Sequence, residues 1–207
     1  MTTATSRASS DFSDLSALSD LSAPEATLRT CPIMSGLVDR HIPMRLPARR
    51  PFPSLVDAIV SQQISGRAAA TIMGRLRTRV GLSREALATA DSRRVRAAGL
   101  SKAKARAVKE LARFALDGGL RGLDRLEDAV VVERLVEVRG IGVWTAEMFL
   151  LFTLHRPDVW PVGDGGIQRA AAALYGADDR DKLQSLGDRF RPWRSHATWY
   201  LWRSLGG

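Results

Sequence analysis

Apolar positions recur over residues 101–117 with the spacing of one helical face: Ala107, Val108, Leu111, Ala112 and Ala115 form a single stripe. Ser101 stands where an N-cap belongs, and Gly118-Gly119 ends the run. A second stripe, Val143, Ala146, Leu150 and Leu154, marks a helix over 143–155. The same reading predicts helices over 54–62, 66–80, 83–90, 92–98, 124–137, 165–175, 179–190 and 193–204. No stretch alternates apolar and polar residues in the two-residue rhythm of a half-buried strand. The pattern therefore predicts an all-α fold, and 207 residues suffice for a real core, in one domain or two small lobes.

Two segments fall outside the helical pattern. Residues 1–24 are Ser, Thr, Ala, Asp and Leu in near-repeat, too poor in apolar surface to offset chain entropy, and are expected to be a disordered tail. Residues 41–53, with four prolines, read as an extended approach to the first helix. The folded domain is expected over 25–207.

Charge sharpens the picture. The chain carries 31 Lys and Arg against 22 Asp and Glu, a net of +9. Residues 1–25 hold Arg7 against Asp11, Asp14, Asp20 and Glu25, a net of −3, so the remainder carries +12. A basic body suits a polyanionic partner. Three of the four lysines, Lys102, Lys104 and Lys109, fall on the 101–117 helix. Of these, Lys102 and Lys104, with Arg106, are candidate phosphate contacts. Cys31 is the only cysteine, which excludes an intrachain disulfide and any cysteine-held metal cluster. No apolar run approaches a membrane span, and the N-terminus lacks a basic-then-apolar leader. A cytosolic, nucleoid-associated monomer is the expectation.

The chemistry gathers in the C-terminal half. In Val138-Arg139-Gly140-Ile141-Gly142 the glycines allow a tight hairpin and close approach of a ligand, within a helix–hairpin–helix of about 129–155. The second helix begins there, so its orphan N–H groups and positive dipole end can hold a phosphate, with Arg139 and Thr145 beside them. Asp164, bracketed by glycines, follows Gly142 by 22 residues. Alone, such an Asp reads as an N-cap of the 165–175 helix. All five tryptophans, at 144, 160, 193, 199 and 202, lie in this same last third.

Four blocks then resemble the helix-hairpin-helix (HhH-GPD) DNA glycosylase superfamily, in its 3-methyladenine DNA glycosylase II (AlkA-type) branch. They are Leu55-Val-Asp-Ala-Ile-Val-Ser-Gln-Gln-Ile-Ser-Gly-Arg-Ala-Ala69, Gly99-Leu-Ser-Lys-Ala-Lys-Ala-Arg106, Gly140-Ile-Gly-Val-Trp-Thr-Ala-Glu147 running on to Asp164, and Arg191-Pro-Trp-Arg-Ser-His-Ala-Thr-Trp-Tyr-Leu-Trp202. The resemblance implies a two-lobed helical fold with a DNA-binding cleft between the lobes, and Asp164 as the catalytic aspartate. Trp144 stands where bifunctional members keep a Schiff-base lysine, which implies a monofunctional enzyme without lyase activity. Trp144, Trp202 and Met148 match pocket positions. Larger members add an N-terminal β-rich domain that this length does not accommodate. Met148 replaces a pocket tyrosine of some members, and Gly165 a usual leucine.

The expected substrate is double-stranded DNA with alkylated bases of the 3-methyladenine or 7-methylguanine type. A base must be everted for the reaction, and Gln63 or Ile64, in the loop between two predicted helices, is the candidate wedge. Gln62 and Gln63 read equally well as partners of buried backbone groups. No metal or organic cofactor is expected, and a monovalent cation on the hairpin carbonyls stays open. Two further readings remain: a non-enzymatic binder of damaged DNA, and a monofunctional glycosylase for uracil or hypoxanthine.

Overall fold

The computed structural model describes residues 23–206, and among them there are helices and turns but no strand. The helices are α1 (Ala23–Leu28), α2 (Pro32–Arg40), α3 (Pro51–Ser61), α4 (Gly66–Arg79), α5 (Arg84–Thr89), α6 (Ser92–Arg96), α7 (Lys102–Leu116), α8 (Asp128–Val136), α9 (Val143–Phe152), α10 (Gly165–Tyr175), α11 (Arg180–Asp188) and α12 (Arg194–Arg203). A single 3₁₀ turn, Leu123–Arg125, precedes α8. Side chains set several starts: Ser65, Ser83, Asp91, Ser101 and Asp179 each accept a backbone N–H two or three residues on. Each such cap contributes about 1 kcal/mol.

The described residues form two compact units, one of residues 45–164 and one of residues 23–44 with 165–206. In the first, α7 is the spine. Its predicted stripe is buried throughout, and α3, α5 and α6 pack on it. Helix α9 packs on α8 and α3 and is apolar on nearly all sides. In the second unit α12 packs on α1, α2 and α10. There the buried Glu25 accepts a hydrogen bond from the Tyr200 hydroxyl at 3.3 Å.

The structure corrects the sequence reading in three places. The expected tail falls on residues outside those described, except that Ala23 and Pro24 open α1. Helix α3 starts at Pro51, inside the segment expected to be extended, because prolines in a first turn lose no hydrogen bond. Val143 does not join the buried stripe of its helix: it is 56% exposed beside the hairpin, and Phe149 and Leu151 are buried with Ala146 and Leu150 instead.

Candidate active site

The hairpin is built from α8, a tight turn and α9. Gly140 adopts φ +87°, and a Cβ there would stand 2.8 Å from the Ala107 Cβ on α7. Both facts demand glycine. Gly142 differs from Gly140: its φ of −95° suits any residue, and a Cβ would meet nothing within 4 Å. Its lack of a side chain therefore keeps open space in front of α9. Among the described residues no side chain caps that helix, so its first N–H groups and dipole end have no cap of their own.

The loop after α3 is latched to this turn. The Gln62 amide donates to the Gly140 carbonyl at 2.8 Å, with the Thr145 hydroxyl 3.5 Å away. Thr145, expected at the DNA face, is only 4% exposed and turns inward toward this latch. The Lys104 Nζ donates to the Val60 and Gln62 carbonyls at 2.7 and 2.5 Å. Burial lowers its pKa. Its ammonium thus holds the loop, whereas a phosphate contact was expected. The helical turn could have shown this: residue 104 lies about 200° round the helix from residue 102, while 106 shares the face of 102. Gln63 and Ile64, next in the loop, are both exposed, and Gln63 takes a left-handed φ of +57°.

Lys102 and Arg106 are exposed and line a groove of about 570 Å³ with Arg93, Arg96, Lys109 and Arg113, against one acid, Glu110. Arg139 is also exposed, and Glu110 accepts its backbone N–H at 3.2 Å. Of the hairpin carbonyls a monovalent cation would use, that of Val138 accepts the Ile141 N–H and that of Gly140 the Gln62 amide.

Asp164 ends the loop that follows α9 and immediately precedes α10. The Trp144 indole N–H donates to its Oδ2 at 2.8 Å. Trp144, on the first turn of α9, is 45% exposed, so its ring remains open to a ligand. Two residues 20 apart in sequence are thereby joined beside the hairpin. Glu147 lies one turn further along α9 and had no expected role. Burial chiefly, with the charge of Asp164 adding to it, raises its carboxyl pKa to about 7. Its place three residues after Trp144 was the available signal. Met148, its neighbour, is half-buried. Trp202 is half-buried on α12, in the other unit. In that unit too, Trp199 donates to the Ile42 carbonyl at 3.1 Å and lies under Arg203.

The all-helical fold is shared with solved 3-methyladenine glycosylases. A DNA-3-methyladenine glycosidase from Bacillus halodurans aligns with a TM-score of 0.80 and 35% identity, over 89% of this chain and 90% of that one. The Schizosaccharomyces pombe 3-methyladenine DNA glycosylase in complex with abasic DNA aligns at 0.78 and 27% identity, over 88% and 96%. By sequence, DNA-3-methyladenine glycosylase 1 of S. pombe is 31% identical over 179 residues, 81% of this chain and 78% of that protein. Residues 56–194 match the model of the HhH-GPD superfamily of base excision DNA repair proteins, and the chain belongs to that superfamily.

Proposed function

We propose that the protein is a monofunctional DNA glycosylase that hydrolyses the N-glycosidic bond of alkylated bases, of the 3-methyladenine and 7-methylguanine type, in double-stranded DNA. The observation that carries this reading is the Asp164 carboxylate held by the Trp144 indole beside the hairpin. The names of the similar proteins give 3-methyladenine in DNA as what they act on, which supports the first of the two base types.

The hairpin amides and the open space at Gly142 receive a backbone phosphate, and the basic groove takes the neighbouring strand. These contacts position the duplex without reading sequence. Eversion of the damaged nucleotide costs a few kcal/mol, least where damage weakens pairing. Gln63 or Ile64 fills the gap. The left-handed backbone at Gln63 costs roughly 1–2 kcal/mol and keeps the loop tip turned outward.

Alkylation at a ring nitrogen makes the base cationic. An electron-rich indole face holds such a ring by roughly 0.5–2 kcal/mol, and Trp144, bonded to Asp164, is the indole assigned to it. As the C1′–N bond breaks, its electron pair leaves with the base and the sugar becomes an oxocarbenium ion. A carboxylate about 4 Å from that carbon stabilises it by about 4 kcal/mol at an effective dielectric near 20. That is roughly a thousandfold in rate. Water then bonds to C1′ and gives up a proton. A cationic base leaves without a Lewis acid, so the reaction calls for no cofactor. An indole at position 144 has no amine to attack C1′, so the abasic strand is left intact.

The test is a release assay on duplexes with single defined lesions. The reading predicts free 3-methyladenine or 7-methylguanine and uncut abasic strands. Binding without release from any lesion would make the protein a damage binder, and release confined to uracil or hypoxanthine would change its substrate.

A further inference from the structure

Glu147 follows Trp144 by three residues on α9, which puts both side chains on one face of the helix. Trp144 is bonded to Asp164, so the face that carries Glu147 is the face turned to Asp164. The glutamate is half-buried. The helices packed on α9 bring Asp57 on α3 and Asp128, Glu133 and Arg134 on α8, and none of these shifts Glu147. The charge that bears on it is that of Asp164, and among the described residues no cation or hydrogen bond offsets the push. Burial and that charge place its midpoint near 7.

Two carboxylates thus stand together in unlike surroundings. Asp164 receives the Trp144 indole N–H at 2.8 Å. Glu147 receives no such donor. Neighbouring acids whose environments push them apart divide acid–base work between them.

We infer that Glu147 is the base of the reaction, taking the proton of the attacking water while Asp164 supplies the fixed charge that stabilises the sugar cation. The inference rests on the glycosylase reading above. In the step, the water oxygen bonds to C1′, the C1′–N electron pair has left with the base, and one water proton passes to a Glu147 carboxylate oxygen and then to solvent. Glu147 must be ionised to act. The rate therefore rises with pH through about 7 and levels above it.

The experiment is single-turnover release of 7-methylguanine from methylated duplex DNA at pH values on both sides of neutrality. For Glu147→Gln the expected result is a loss of roughly a hundredfold, the low end for a positioned base, and a flat pH profile. Affinity for abasic duplex stays unchanged, and Glu147→Asp restores part of the rate and the rising limb. A Glu147→Gln protein with the wild-type rate overturns the inference, and so does one that is slow but keeps the rising limb. Should Glu147→Gln fail to fold, carbon-13 NMR titration of the Glu147 carboxyl decides. A midpoint near 7 that falls in Asp164→Asn supports the pair, and an ordinary glutamate midpoint in the wild type overturns it. A wild type that releases no base from any lesion removes the glycosylase reading itself, a different outcome from release that is indifferent to Glu147.

Discussion

At Gly140 the chain turns with φ +87° against Ala107, while at Gly142 it is extended with open space ahead. Alanine at 140 therefore meets both backbone strain and a clash, and should cost about 2 kcal/mol or more in thermal unfolding. Alanine at 142 should leave stability within about 0.5 kcal/mol and weaken DNA binding, because its methyl stands where a phosphate must reach the N–H groups of α9. A Gly142→Ala protein with wild-type affinity would move the phosphate elsewhere. Glu147 sets a second residue-scale expectation. Its carboxyl is pushed up to about 7 in the folded protein from an ordinary glutamate value of 4.5, so the folded state holds the extra proton between those limits. Stability should fall as pH rises from about 4.5 to 7 and stay level beyond. Glu147→Gln should remove that decline and melt higher than wild type at alkaline pH, with no gain below the window. Equal melting shifts at both ends would contradict the assignment.

Between elements, the join that matters runs from the start of α7 to the end of α3. Lys104 closes the last carbonyls of α3, and Gln62 carries the loop on to Gly140. Lys104→Met should cost about 1.5–3 kcal/mol, the range for hydrogen bonds to a charged group. It should also slow base eversion, read by the fluorescence of a probe base in the duplex. Full stability would show that the ammonium holds nothing. The long helices were legible because apolar spacing and caps agree, as at Ser101 and the α7 stripe. Helices α1 and α2, which open on Ala23-Pro24 and Pro32, were not among the expected elements, although Met34, Leu37 and Val38 have helical spacing and are buried. Proline in a first turn begins a helix as readily as it ends one. At the site, the hairpin and Asp164 could be read from the chain. The Trp144–Asp164 bond could not, since a 20-residue separation says nothing of which side chains meet.

Over the whole molecule, charge and the hairpin act together. A chain of net +9 with a groove of six basic side chains should bind duplex DNA with strong salt dependence. Neutralising Lys102 or Arg106 singly should weaken binding to all sequences alike and reduce the salt slope by about 1. Neutralising Lys104, whose charge is spent inside, should leave the slope unchanged. No helix among the described residues is long and apolar enough to cross a membrane. The central claim concerns one oxygen beside C1′, and it is tested most directly by Asp164→Asn on a duplex with a single 7-methylguanine. The amide keeps the shape of the side chain and removes its charge. The account predicts unchanged DNA affinity and release slowed roughly a thousandfold, the value of the lost charge. Release at the wild-type rate would take Asp164 out of the reaction.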